Sequence, residues 1–365
     1  MLASPNPLIR VLVVDDSFFM RKILVKLLND PRQGITVVDT AKTGLEAIEK
    51  NKSLKPDVVT LDVEMPHMDG LSALRRMMLE NPVPVVMLSA HTGKGTETTI
   101  RALEIGAVDC VGKPSGIPMT DLEGIKNELI EKVKMAAATH PRKRSESEGE
   151  EVGSRRNLRE NALSSSQKEA LVRVPAHTLV AVASSTGGPR ALNDLLSEIP
   201  DGFPAALVIV QHISTGFTKA LARRLDECSS LSVVEAEEGQ KISAGCAYVA
   251  PAGRHLVVQG APGSYQVHLT DSPPRMGVRP SADIMMQSVA KTAGRHSLGI
   301  ILTGMGRDGA LGVKEIHQAG GKTFAQDAES CVVYGMPRAA VEDGSVDHQL
   351  TVREIARQVS SFLSE

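Results

Sequence analysis

Three acidic residues and one lysine stand at the ends of apolar runs. The run Val58-Val59-Thr60-Leu61 delivers Asp62 and then meets Val63-Glu64-Met65-Pro66, where proline breaks the pattern. Val11-Leu12-Val13-Val14 leads into Asp15-Asp16-Ser17, and Val111-Gly112 leads into Lys113. In open parallel α/β sheets, ligands sit beyond the carboxyl ends of the strands. Three carboxylates gathered there repel one another unless a cation compensates them. A hard divalent ion such as Mg²⁺ binds through a few carboxylates, waters and phosphate oxygens. Asp15, Asp16 and Asp62 are the candidate ligands, with the backbone carbonyl of Glu64 as a further one. Asp62 then serves as nucleophile toward a phosphoryl group, and the metal and Lys113 neutralise its equatorial oxygens. Ser89, ending Val85-Val86-Met87-Leu88, is placed to hydrogen-bond the same group. The plain alternative is that an acid after a strand is a cap or turn residue, and Asp69 and Asp109 are read that way.

A second constellation lies in the C-terminal half. Leu179-Val180-Ala181-Val182-Ala183 leads into Ser184-Ser185-Thr186-Gly187-Gly188-Pro189 and then a helical pattern, with Pro189 suited to its first turn. A serine on such a turn faces backbone N–H groups and the positive helix end, which can hold an oxyanion. The run 205–210 ends in Gln211-His212, and 298–302 ends in Thr303-Gly304-Met305-Gly306-Arg307-Asp308-Gly309. Ser185, His212 and Asp308 would supply nucleophile, base and orienting acid. The residues alone leave alternatives open. A Gly-Gly turn after a strand is also a common phosphate cradle, and a histidine at a strand end is more often structural. No Gly-x-Ser-x-Gly elbow is present, and the order Ser, His, Asp differs from that of α/β-hydrolases. His177, His255, His268, His296 and His317 read as structural or surface residues.

These residues need strands to carry them. The first half predicts strands at 9–14, 35–39, 57–61, 84–89 and 107–111, alternating with helices near 18–29, 43–51, 70–80, 94–105 and 119–135, which is the pattern of a doubly wound parallel sheet. From His140 to Val174 the chain is charged and serine-rich with few apolar residues, the composition of a flexible linker, within which 156–171 could form a short helix. Strands resume at 178–183, 205–211, 246–250, 255–258 and 298–302. The domains are therefore placed at 8–135 and 176–365, joined by a polar linker at 136–175. A chain of 365 residues is too long for one ordinary core, which agrees with two domains.

Composition narrows the function. The formal net charge of −2, the 2% aromatic content and the lack of tryptophan argue against a nucleic-acid surface. No apolar run approaches the roughly 18 residues that span a bilayer, and no secretory leader is evident. The four cysteines are scattered without a Cys-x-x-Cys pair and read as reduced thiols, so a cytoplasmic location is expected.

The first half resembles the receiver domains of two-component response regulators, through Val-Val-Asp15-Asp16-Ser, Leu-Asp62-Val-Glu-Met-Pro, Leu-Ser89-Ala and Gly-Lys113-Pro. The resemblance implies a flavodoxin-like fold, Mg²⁺, and phosphorylation of Asp62 by a histidine kinase. Many receivers carry an aromatic switch residue where this chain has Cys110. Residues 178–365 resemble the chemotaxis protein-glutamate methylesterases, through Ala-Ser-Ser185-Thr-Gly-Gly-Pro, Val-Gln-His212-Ile-Ser, Arg279-Pro-Ser-Ala-Asp and Leu-Thr-Gly-Met-Gly-Arg-Asp308-Gly. That family usually has Gly-Ala where this chain has Ala183-Ser184. The resemblance implies a Rossmann-like parallel-sheet hydrolase with Ser185, His212 and Asp308 as triad, Thr186 and Met305 lining the site, and no cofactor for the ester chemistry. It further implies that the substrates are glutamyl methyl esters, and selected glutamines, on the cytoplasmic tails of chemoreceptors. Phosphorylation of Asp62 would relieve inhibition of the catalytic domain. The rival readings are a response regulator with a non-catalytic binding output and a nucleotide-binding domain.

Overall fold

The computed structural model describes residues 8–89, 93–113, 122–139 and 174–362. The chain divides into two compact units, Met1–Leu158 and Arg159–Glu365. The first unit alternates β1 (Ile9–Val14), α1 (Phe18–Leu28), β2 (Ile35–Ala41), α2 (Gly44–Leu54), β3 (Val58–Asp62), α3 (Gly70–Glu80), β4 (Val85–Ser89), α4 (Gly93–Ile105), β5 (Asp109–Gly112) and α5 (Leu122–Ala137). All its strand pairs are parallel, in the order β2-β1-β3-β4-β5. The connection reverses direction between β1 and β3, so Val14 lies beside Leu61 and the acids that follow both strands share one edge.

Covering helices explain the unbroken apolar strands. β3 and β4 are buried along their whole length, as strands with helices on both faces must be. Val11, Val13, Leu24, Leu28, Val86 and Leu129 meet in one core, and each such side chain contributes on the order of 1.5–3 kcal/mol by leaving water. The helices begin where short polar side chains can cap them. Ser17, Thr43 and Asp69 accept from the N–H groups of Met20, Glu46 and Ser72.

The second unit runs β6 (Leu179–Ser184), α6 (Gly188–Ser197), β7 (Ala206–Gln211), α7 (Thr218–Cys228), β8 (Ser232–Glu235), β9 (Cys246–Val249), β10 (His255–Gln259), β11 (Gln266–Thr270), α8 (Ala282–Ala293), β12 (Ser297–Ile301), α9 (Ala310–Gln318), β13 (Lys322–Gln326), α10 (Met336–Glu342), β14 (His348–Leu350) and α11 (Val352–Phe362). Seven strands form a parallel sheet ordered β14-β13-β12-β6-β7-β9-β8. β6 is the unit's first long strand, and its two neighbours are β7 and β12. The three strand ends expected to carry chemistry are therefore adjacent.

Several boundaries differ from those the sequence predicts. α5 runs to Ala137, the Thr139 hydroxyl donates to Ala136 O, and Pro175 bridges Ser243, so ordered structure enters both ends of the expected 136–175 linker. The suggested helix at 156–171 and the start of the helix expected at 119–135 lie outside the described residues. The strand at 255–258 does not join the parallel sheet. It pairs with β11 as a separate antiparallel hairpin. Asp109 lies within β5 and pairs with Lys132 at 3.1 Å, rather than capping or turning. Among the described residues, no helix is long and apolar enough to cross a membrane.

Candidate functional site

In the second unit the candidate catalytic edge is built by hydrogen bonds between strand ends. Beyond β6, Ser185 N–H donates to Thr303 O at 3.0 Å, which holds the serine against the loop after β12. A Cβ at Gly304 would lie 2.7 Å from Ser185 Cβ, so only glycine lets this loop approach so closely. Gly187, at φ 77°, turns the chain into α6, and Pro189 occupies that helix's first turn as expected. Beyond β7, His212 N–H donates to Ser184 O at 3.0 Å. Beyond β12, Asp308 Oδ2 lies 2.9 Å from His212 Nε2.

Asp308 is almost fully buried and thoroughly satisfied. It accepts from the Ser281 hydroxyl at 2.7 Å and from the N–H groups of Ala282 and Asp283, at the start of α8. Burial acts to raise its carboxyl. The bond from His212, with those from Ser281 and Ala282, outweighs that and holds it below the ordinary value. An ionised carboxylate only accepts, so His212 Nε2 is the protonated nitrogen and Nδ1 is left with its lone pair. Among the described residues no hydrogen bond is recorded between Ser185 Oγ and His212. Apo catalytic contacts often tighten only with substrate.

Thr186 is buried with its carbonyl bound by the Thr303 hydroxyl, while Met305 is half exposed. Ser184 is fully buried, and its hydroxyl is engaged with Gln211 Oε1 at 2.7 Å. That excludes it as a rival nucleophile in this conformation. Sequence reasoning assigned no role to Gln211, Ser281 or Asp283. Asp283 accepts from Gly309 and Gly312 N–H groups, each at 2.9 Å, and so pins the loop that presents Asp308. Burial and the neighbouring Asp308 charge push its carboxyl up, against the hydrogen bond from Gly312. Ser281 and Asp283 lie in the Arg279-Pro-Ser-Ala-Asp segment that carries the resemblance, and Ser281 also follows a proline and precedes a helical pattern. His255 is structural, as read, since its Nδ1 accepts from Ser281 N–H and its Nε2 donates to Pro273 O.

In the first unit, Asp15, Asp16 and Asp62 offer oxygens within 4.8 Å of one another. Asp15 and Asp62 are buried and Asp16 is exposed. Lys113 Nζ lies 2.9 Å from Asp15 Oδ2 and 2.6 Å from Asp62 Oδ2. These are ion pairs by distance, although neither oxygen has a partner in hydrogen-bond geometry. One ammonium among three carboxylates leaves a surplus of negative charge, and the donor set is all oxygen, so the residues fit a hard divalent cation. Asp62 is pushed up to about 6 by burial, and the Asp15 charge adds to the effect while Lys113 opposes it. Glu64 N–H donates to Asp62 Oδ1 at 3.2 Å, which places the Glu64 backbone beside the cluster. A Cβ at Gly70 would collide with Asp62 O, so glycine is required where α3 begins. Ser89 Oγ donates to Gly95 O at 3.2 Å, toward α4. Cys110 is fully buried, and its carbonyl accepts from Lys132 Nζ at 2.6 Å.

Together the two folds and their strand-end sites define a response-regulator enzyme, a receiver domain joined in one chain to a hydrolase domain. Comparison with known proteins agrees with this class. Residues 11–121 match the response regulator receiver domain, and residues 180–359 match the CheB methylesterase domain. The protein-glutamate methylesterase/protein-glutamine glutaminase of Symbiobacterium thermophilum is 47% identical over 359 residues, which is 98% of each chain. Its counterpart in Pyrococcus abyssi is 46% identical, covering 96% of this chain and 92% of that one. The crystal structure of the Thermotoga maritima CheB methylesterase catalytic domain superposes with a TM-score of 0.50 at 38% identity, covering 51% of this chain and 99% of that one. The chain belongs to the protein-glutamate methylesterase/protein-glutamine glutaminase family.

Proposed function

We propose that this chain hydrolyses glutamyl methyl esters on the cytoplasmic tails of chemoreceptors, deamidates selected glutamines there, and is switched on by phosphorylation of Asp62. The observation that carries the chemistry is the His212–Asp308 pair at 2.9 Å, set on the strands flanking that of Ser185.

Ser185 Oγ attacks the ester carbonyl while His212 takes its proton. Because Nε2 is committed to Asp308, the accepting atom is Nδ1. Asp308 stays ionised, fixes the imidazole tautomer and stabilises the imidazolium. The N-terminal turn of α6 supplies positive potential beside the oxyanion. His212 returns the proton to the departing methoxide, so methanol leaves. Water then attacks the acyl-enzyme through the same base, giving glutamate and free Ser185. A glutamine side chain follows the same path and releases ammonia. Thr186 and Met305 line the site, with the half-exposed Met305 as the contact for the apolar side of a receptor helix.

In the receiver, Asp15, Asp16, Asp62 and the Glu64 carbonyl would hold Mg²⁺. When bound, the ion neutralises charge on the transferring phosphoryl group. Asp62 Oδ accepts the phosphoryl from a histidine kinase, and Lys113 pairs with its oxygens. For Ser89 to bond the phosphoryl group it must leave Gly95 O, which loosens the first turn of α4. The phosphorylated receiver then ceases to inhibit the catalytic domain. The chain works where its substrates lie, at the cytoplasmic tails. Methanol and ammonia release from purified receptor membranes tests the reading. The wild type releases both, whereas Ser185→Ala falls by about 10⁴-fold or more, and retained release in that variant sinks the assignment.

A further inference from the structure

We propose that Gln211 is a positioning residue that fixes the nucleophile-bearing and base-bearing strand ends to one another, and that Ser184 sets its orientation. The inference rests on Ser185 as nucleophile and His212 as base. The last ladder bond between β6 and β7 is His212 N–H to Ser184 O. Past it the two backbones part, Ser185 into the turn before α6 and His212 toward Asp308. The Gln211 amide spans that gap. Its Nε2 donates to Ser185 O and to His212 O, each at 2.8 Å.

Both N–H groups are thereby used, so Oε1 must face the other way. There it meets the Ser184 hydroxyl at 2.7 Å. With the amide oxygen as acceptor, Ser184 is the donor, and its buried hydroxyl rules out a flipped amide that would set Oε1 against two carbonyls. Gln211 is 2% exposed and Ser184 0%, so water cannot substitute for either partner. The neighbouring backbone leaves this space open, because a Cβ at Gly188 would collide with Gln211 Oε1. The amide nitrogen is therefore spent on holding the two catalytic backbones, and the amide oxygen on the Ser184 hydroxyl. A misplacement of about 1 Å between reacting groups costs on the order of 10²-fold in rate.

The test measures Ser185 acylation by a fluorophosphonate probe, together with methanol turnover on methylated receptor membranes, in the full chain. Gln211→Ala is expected to lower kcat and the probe rate by about 10- to 100-fold with KM within about twofold, in protein with an unchanged circular dichroism spectrum. Ser184→Ala is expected to lower both rates by about 3- to 10-fold, as one buried hydrogen bond allows. The double variant should be no slower than Gln211→Ala, because the hydroxyl acts only through the amide. Multiplying effects, or a Gln211→Ala protein that reacts at the wild-type rate, overturns the proposal. If Gln211→Ala does not fold, Ser184→Ala decides alone, and a rate within twofold of wild type overturns it. Labelling that persists in Ser185→Ala would instead overturn the nucleophile assignment.

Discussion

At the scale of residues, two buried carboxylates are shifted in opposite directions. Asp308 meets hydroxyl, backbone and imidazole donors and is held below the ordinary carboxylate value, which suits the orienting role proposed for it. Asp308→Asn removes the acceptor that sets the His212 tautomer, and we expect kcat to fall by about 10⁴-fold while substrate binding persists; methanol-release kinetics check both parameters. Asp62 is pushed up to about 6 from 3.8, by burial first. Its folded form therefore binds a proton more tightly than the unfolded chain. Stability falls as pH rises through that window, because the unfolded state then holds fewer protons than the folded one. A cation that binds the ionised cluster offsets this loss. Mg²⁺ should therefore raise the Tm of the wild type clearly at pH 7.5 and little at pH 4.5, and should do neither in Asp62→Asn. An equal rise at both pH values would contradict the metal assignment.

At the scale of elements, the strands expected to carry chemistry were legible as strands. β1, β3, β6, β7 and β12 are apolar runs ending abruptly at polar residues, so their existence could be read in one dimension. β13 was not legible, because its buried face includes Thr323 and Gln326. Those side chains are satisfied by partners distant in sequence, Thr323 by Ser345 O and Asp347 and Gln326 by the Thr303 N–H group. Periodicity also cannot say which sheet a strand joins, so the separate pairing of β10 with β11 could not be read. For the same reason Gln211 and Asp283 escaped notice. Their roles lie chiefly in hydrogen bonds across 26 or more residues of sequence. Gly304 makes the element-scale prediction. Gly304→Ala sets a methyl against Ser185 Cβ at 2.7 Å, which must displace one loop or the other. Esterase activity should fall at least 10-fold in a protein that still accepts phosphate at Asp62, since the receiver core is separate. Undiminished turnover would show that the loop after β12 is not held against the nucleophile.

Cys110 belongs to the same scale. The β5 strand is tied to α5 through Lys132, which bonds Cys110 O and pairs with Asp109 and Glu128. Burial pushes the Cys110 thiol up to about 12. The native protein should therefore resist iodoacetamide at Cys110, with or without phosphorylation, while denatured chain reacts fully. Peptide mass mapping reads this directly, and rapid native labelling would show that β5 opens.

At the scale of the molecule, two parallel sheets, each with its own apolar core, are carried on one chain. Each unit places its candidate reactive groups where its strand order reverses. The linkage proposed between them is regulatory. The fragment 176–365 should be more active than the unphosphorylated full chain. The most direct measurement of that linkage is methanol release from methylated receptor membranes by the full chain, before and after Mg²⁺ and acetyl phosphate, in wild type and Asp62→Asn. The rate should rise severalfold in the wild type and stay at the basal level in Asp62→Asn. An equal rate in stoichiometrically phosphorylated and unphosphorylated wild type would contradict it.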